Sequence, residues 1–179
     1  MSERDSNFVF KSVFSTTIEL ARYNPAGGSS YLKTPVIIAK KGAIINVQNK
    51  DERCFLYAVA SAIHPHKERL TNSHRTSNYE DIIKKFSIKG LKFPLEPQDI
   101  SKFENLNPNI AVNVLHYDYE SNQILPLVHT SHLQRKHQVN LLLLSEECES
   151  VDGDLNNVEA TDLRKYHYTW IKHTSRLFN

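Results

Sequence analysis

Hydrophobic residues in this chain fall into short runs separated by polar segments. The run Cys54–Ile63 is apolar on nearly every helical face, and a helix of that kind is buried. Two stretches with helical spacing follow, at residues 79–88 and 98–104. Apolar runs of strand length occupy residues 43–47, 110–115, 124–128, 139–144 and 166–171.

The order of these elements, helices first and then several strands, predicts an α+β fold. Polar residues 64–80 and acidic residues 146–162 are predicted to be loops. Residues 1–30 read as an N-terminal extension, partly flexible, before a domain spanning residues 31–179. The length of 179 residues suits one domain with one core.

Composition narrows the classes of function. The 22 basic and 20 acidic side chains give a net charge of +2, whereas nucleic-acid binders usually carry a strong basic excess. No apolar run approaches the roughly 20 residues that span a bilayer, and the polar N-terminus is not a secretory signal. We therefore expect a monomeric intracellular protein, cytoplasmic or nuclear, with no membrane or nucleic-acid partner and no cofactor.

One of the two cysteines, Cys54, lies at a predicted helix start, a position that favours a reactive thiol. Cys54 follows a polar segment and opens the predicted buried helix, where free amide groups lower the pKa of a thiol. His167 begins an apolar strand more than 100 residues later, which is the order of nucleophile and base in papain-like proteases. A cysteine in an apolar helix can also be a small core residue, and the residues alone leave both interpretations open.

The sequence offers two candidate oxyanion groups and no metal-ligand pattern. Gln48, six residues before Cys54, can supply an amide donor to an oxyanion, and the turn at Asp51 can instead present backbone amides. The nine histidines and two cysteines show no paired ligand spacing, and His64 and His66 are too close together. We predict no metal site.

A resemblance covers nearly the whole chain. It is carried by residues 17–31, 43–47 and 90–94, by Cys54-Phe55, and by residues 99–104, 140–144, 167–172 and 175–177. In these segments the chain resembles a domain encoded by Maverick/Polinton-type transposable elements, upstream of their family B DNA polymerase. That domain looks like a papain-like cysteine protease and is similar to herpesviral tegument-type deubiquitinases. Around Cys54 the chain is also similar to OTU deubiquitinases.

The resemblance implies a buried helix carrying Cys54, packed on an antiparallel sheet carrying His167. It implies a deubiquitinase, with ubiquitin or polyubiquitin chains as partners. Tyr168 stands where many deubiquitinases place an aromatic gatekeeper, which narrows the substrate channel so that only glycine fits.

The orienting third member of a triad stays unassigned. The tegument-type position holds Lys165 and the OTU-type position holds Thr169, while His173 stands where relatives have Asp or Asn. The remaining candidates are Asp118, Asn140 and Asp162. Two other functions stay open: a non-catalytic ubiquitin-binding or interaction domain, and a cysteine protease that processes the polyprotein of a mobile element.

Overall fold

The computed structural model describes residues 31–66, 71–146 and 165–179. The predicted N-terminal extension lies outside the described residues, as do Cys148 and most of the predicted acidic loop.

In the described part of the chain, four helices and a two-residue strand come first, and four strands and a last helix follow. The helices are α1 (Val36–Lys41), α2 (Cys54–Ile63), α3 (Glu80–Ile83), α4 (Ile100–Leu106) and α5 (Thr174–Phe178). The strands are β1 (Ile44–Ile45), β2 (Ile110–Asp118), β3 (Gln123–Val128), β4 (His137–Glu146) and β5 (Lys165–Ile171). Short 3-10 turns cover Thr76–Asn78 and Pro97–Asp99.

The sheet has the strand order β1-β5-β4-β2-β3 and is mixed, which corrects the expected antiparallel sheet. All neighbouring strands are antiparallel except β2 and β4. The reason is the path of the chain. β3 returns beside β2 to the end where β2 began, and β4 then starts at that same end on the other side of β2, with His137 opposite Ile110. β4 must therefore run in the direction of β2.

Two buried clusters lie against the sheet. The larger one contains α2 and the β5 residues Tyr166, Tyr168 and Trp170. The second joins Ile38 of α1, Leu177 of α5 and residues of β4 and β5. Because side chains of a strand alternate between faces, β5 contributes to both clusters and fixes α2 on one face only.

The structure confirms the α+β class, the helix Cys54–Ile63 and the strands at the predicted places. The helix predicted at residues 79–88 is wrong in length, since α3 ends at Ile83. The chain then turns, and Asn107 binds the backbone N–H and C=O of Ser87. Among the described residues, no helix combines the length and the apolarity needed to cross a membrane.

Candidate functional site

Cys54 is the first residue of α2 and is 1% exposed. The turn before it is organised by Asp51, whose Oδ1 accepts hydrogen bonds from the Arg53 amide at 3.2 Å and from Asn49 Nδ2 at 3.1 Å. Tyr57, one turn into α2, donates its hydroxyl to Asp51 Oδ2 at 3.3 Å. Asp51 therefore holds the entry of the helix in place, and its carboxylate is already engaged.

The first turn of α2 is anchored to the sheet by aromatic packing. The ring of Phe55 makes edge contacts with Tyr168 of β5 at 5.3 Å and with Phe103 of α4 at 5.0 Å. Ala58 and Ala62, on the Cys54 side of α2, are buried, and their small side chains let other elements approach closely. The position of Cys54 is thus set by the core and not by a loop.

His167 lies in β5 and is fully buried. Its Nε2 is 2.9 Å from Oδ1 of Asn46, the residue after β1. The Asn46 amide nitrogen donates to the Leu32 carbonyl at 2.8 Å and to the Thr34 hydroxyl at 2.9 Å. Because a carbonyl only accepts, the amide nitrogen must face Leu32, and Oδ1 must accept from His167. His167 is therefore protonated at Nε2, which leaves the lone pair at Nδ1.

The Nδ1 atom has no hydrogen-bond partner in the part of the chain that the structure describes. Burial lowers the pKa of His167 to about 4, and a backbone hydrogen-bonding interaction with Val47 acts in the opposite direction. The ring is consequently neutral at physiological pH, with its lone pair at Nδ1.

The neighbours that the structure gives for the His167 ring lie in the segments before α1 and after β1. The ring of His167 lies beside Tyr31, at 5.9 Å between centroids, and beside Asn46 and Val47, and no hydrogen bond among the described residues joins it to Cys54. The residues on either side of His167 belong to the core under α2. By alternation, the His167 side chain leaves β5 on the other face. The catalytic pairing stays a prediction.

Gln48, the predicted oxyanion donor, is exposed. Its backbone N–H donates to the His74 carbonyl at 2.8 Å, which ties the chain at His74 to the chain at Gln48. The Gln48 side chain lines a shallow surface depression of about 360 Å³. An amide in this place is open to a ligand, and its oxyanion role stays a prediction.

Tyr168, the predicted gatekeeper, is 1% exposed. Its ring packs against Phe55 and against Tyr166 at 5.9 Å. In this structure Tyr168 is a core residue of the cluster that contains α2. A gatekeeper role would require the ring to become exposed.

Among the described residues the partner of His167 is Asn46, and neither Asp118 nor Asn140, two of the three candidates named from the sequence, binds it. Asp118 binds Ser121 and the amides of its own turn, which lower the pKa of its carboxyl. Asn140 accepts a hydrogen bond from Asn113 at 3.0 Å, and Asp162 lies outside the described residues. The signal for Asn46 was a single polar residue inside the apolar run 43–47.

The described residues contain no group of three or more His, Cys, Asp or Glu side chains able to hold a metal ion. Comparisons with family models, with curated proteins and with solved structures give no match to this chain. The proposals below therefore rest on the residues and their geometry, together with the resemblance noted above.

Proposed function

We propose that the protein is a thiol-dependent isopeptidase of papain-like architecture, a deubiquitinase that cleaves after the C-terminal Gly-Gly of ubiquitin. Cys54 is the nucleophile and His167 the base. The observation that carries the proposal is the imidazole of His167, which Asn46 holds at Nε2 and which has no hydrogen-bond partner at Nδ1 among the described residues.

A buried polar atom without a partner is destabilising by about 1–3 kcal/mol. Such atoms are uncommon in folded proteins, and a catalytic role is one of the few explanations for them. Here the same ring has its other nitrogen held by a doubly anchored amide. That is the arrangement expected of a base with its orienting group, and Asn46 takes the place of the missing third member.

The proposed reaction begins with transfer of the Cys54 thiol proton to Nδ1 of His167. The thiolate attacks the carbonyl carbon of the terminal glycine, and Gln48 donates to the oxyanion. Collapse of the tetrahedral intermediate breaks the C–N bond, and the lysine amine leaves with the proton from Nδ1. Water then loses a proton to Nδ1 and hydrolyses the thioester, which restores the thiol and releases the carboxylate.

This chemistry requires Cys54 and His167 to approach within hydrogen-bond reach, about 3 Å. In free enzymes catalytic hydrogen bonds are often long or poorly aligned and tighten in the complex. Because the His167 side chain leaves β5 on the face opposite α2, binding of the Gly-Gly tail would have to rearrange the start of α2 and the edge at Asn46.

The decisive experiment is labelling with ubiquitin that carries a C-terminal electrophile. We expect one adduct, mapped to Cys54 by mass spectrometry. Cys54→Ala should abolish it, while Cys148→Ala, which removes the other thiol, should not. Asn46→Ala should slow labelling more than Asn46→Asp, because Asp keeps the acceptor for His167 but loses the two hydrogen bonds that the amide nitrogen donates. A folded wild-type protein that forms no adduct would refute the proposal.

A second candidate, a non-catalytic ubiquitin-binding domain, is favoured by one observation. Cys54 and His167 are both buried and share no hydrogen bond. This function predicts saturable ubiquitin binding by the wild type with no covalent adduct. It also predicts unchanged binding by Cys54→Ala.

A further inference from the structure

A buried carboxylate opens into a surface depression between α4 and the chain at the end of β3. Glu104 of α4 is 5% exposed and lines this depression, whose volume is about 570 Å³. The lining contains no lysine or arginine, and Glu104 is its one acidic side chain.

One oxygen of Glu104 has a structural role. Oε1 accepts hydrogen bonds from the Val112 N–H at 2.8 Å and from the Thr130 hydroxyl at 2.7 Å. The pairing of β2 with β3 ends at Val114 and Val128, so Val112 lies beyond it and Glu104 supplies the missing acceptor. An uncharged glutamine oxygen can accept both of these hydrogen bonds, so they do not account for the charge.

The other oxygen, Oε2, accepts no hydrogen bond among the described residues. It is not one of the sealed side-chain atoms there that lack a partner, so solvent reaches it, and it does so through the depression. Neither of the two ion pairs among the described residues involves Glu104. Arg135 donates to the main-chain carbonyl of Glu104 at 2.7 Å and not to the carboxylate. A glutamate this deeply buried is normally paired, and here the cation is missing from the described chain.

The free oxygen favours one class of ligand. A carboxylate binds a cationic donor more strongly than a neutral one. Because Oε1 already accepts two hydrogen bonds, the site does not offer both oxygens to the planar fork of a guanidinium, whereas a primary ammonium needs only Oε2. Val128 and Leu127, the latter 41% exposed, also line the depression and suit the alkyl stem of a lysine.

The surface continues past the carboxylate. A second depression of about 590 Å³ shares Ser131 and His132 with the first and includes Leu133, which is 63% exposed. A free amine would occupy the first depression alone. The residues that flank a lysine in a polypeptide would also have the second one to lie in.

We infer that the depression at Glu104 binds a lysine side chain of a partner protein, with its ammonium on Oε2 and its stem on Leu127 and Val128. Neither Cys54 nor His167 lines the depression, and the inference does not depend on the proposed isopeptidase activity. Removing the charge from either partner should weaken binding by about tenfold or more, the effect of one hydrogen bond to a charged group.

The test titrates the isotopically labelled full chain with a short capped peptide that has lysine at its centre, and follows the amide signals of Val112 and Thr130 by NMR. The comparison peptides carry Nε-acetyl-lysine, norleucine or arginine at the same place, and pentylamine serves as the free amine. We expect the lysine peptide to bind at least about tenfold more tightly than the acetyl-lysine and norleucine peptides. It should also bind more tightly than the arginine peptide and pentylamine.

Variants separate the charge from the fold. Glu104→Gln keeps an acceptor for Val112 and Thr130, so it should fold and lose the preference for lysine. Glu120→Gln makes the same change at an exposed position outside the depression and should bind as the wild type does. His129→Gln and His132→Gln should keep the preference, since Oε2 holds the ammonium.

Equal affinity of the wild type for the lysine and norleucine peptides would overturn the inference, and this comparison decides even if Glu104→Gln does not fold. A lysine preference that persists in folded Glu104→Gln would overturn it as well. Equal affinity for the lysine peptide and pentylamine would overturn a polypeptide as the ligand. Labelling of Cys54 by the ubiquitin electrophile is a separate measurement, so either proposal can fail alone.

Discussion

Protonation of His167 should destabilise the fold in mild acid. Burial lowers the pKa of this fully buried imidazole from 6.5 to about 4. The unfolded chain therefore binds a proton at a pH where the folded chain does not. As far as His167 is concerned, the free energy of unfolding is highest above pH 6.5. It falls as the pH drops from 6.5 towards about 4 and is constant below that.

The size of the effect follows from the pKa values. A shift of one pKa unit corresponds to about 1.36 kcal/mol. Complete protonation of His167 therefore lowers the free energy of unfolding by a maximum of about 3.4 kcal/mol. At about pH 4.5 the loss relative to neutral pH is about 2.5 kcal/mol. This is a large fraction of the roughly 5–15 kcal/mol by which a domain is stable.

Urea unfolding at a series of pH values measures this loss. Carboxylates titrate in the same range, so the informative quantity is the difference between the wild type and His167→Gln. The variant should be less stable at neutral pH but should lose about 2.5 kcal/mol less on acidification. His129→Gln, at an exposed histidine, should follow the wild type.

Parallel stability curves for the wild type and His167→Gln would refute this reasoning. They would mean that His167 is protonated as readily in the folded chain as in the unfolded one. The proposed mechanism, in which His167 is neutral and accepts a proton at Nδ1, would then be wrong as well.

Three further predictions concern the site and the core. Asn46→Ala should slow labelling of Cys54 by at least about tenfold, because the His167 ring loses its orienting acceptor, as a kinetic comparison with Asn46→Asp would show. Glu104 is buried and accepts hydrogen bonds from the backbone at Val112 and from a threonine hydroxyl. Glu104→Ala should therefore lower the free energy of unfolding by about 2–4 kcal/mol and Glu104→Gln by less, and equal losses in urea titrations would contradict the account. Phe55→Ala should cost about 3–5 kcal/mol by the same assay, while exposed Phe178→Ala should stay within about 0.5 kcal/mol.

The hydrophobic pattern within each segment was enough to predict the positions of α2 and most of the strands. Each is a run whose hydrophobic spacing is decided within ten residues or fewer, as in the ten-residue α2. The direction of β4 was not predictable in this way. It depends on which side of β2 the chain returns to after β3, and the periodicity of a strand is the same in either direction.

The partner of His167 was missed for a related reason. Asn46 and His167 are 121 positions apart and meet through the register of β1 against β5, in which Ile44 faces Ile171 and Ile45 faces Trp170. A shift of one residue would turn Asn46 to the other face of the sheet. Candidates chosen by their distance from His167 along the chain could not reveal a partner that is set by strand pairing.

This register also links the stability of the fold to the proposed chemistry. Asn46 joins the segment at Leu32 and Thr34 to the sheet and holds His167 through the same amide. Since the ring is neutral, a resting thiolate–imidazolium pair is disfavoured, and in the proposed reaction the Cys54 proton moves to Nδ1 only once substrate is bound. The base therefore needs a fixed tautomer more than a high pKa, and the double anchor of Asn46 supplies it. A buried imidazole with a low pKa is for this reason compatible with catalysis, provided that substrate brings Cys54 to Nδ1.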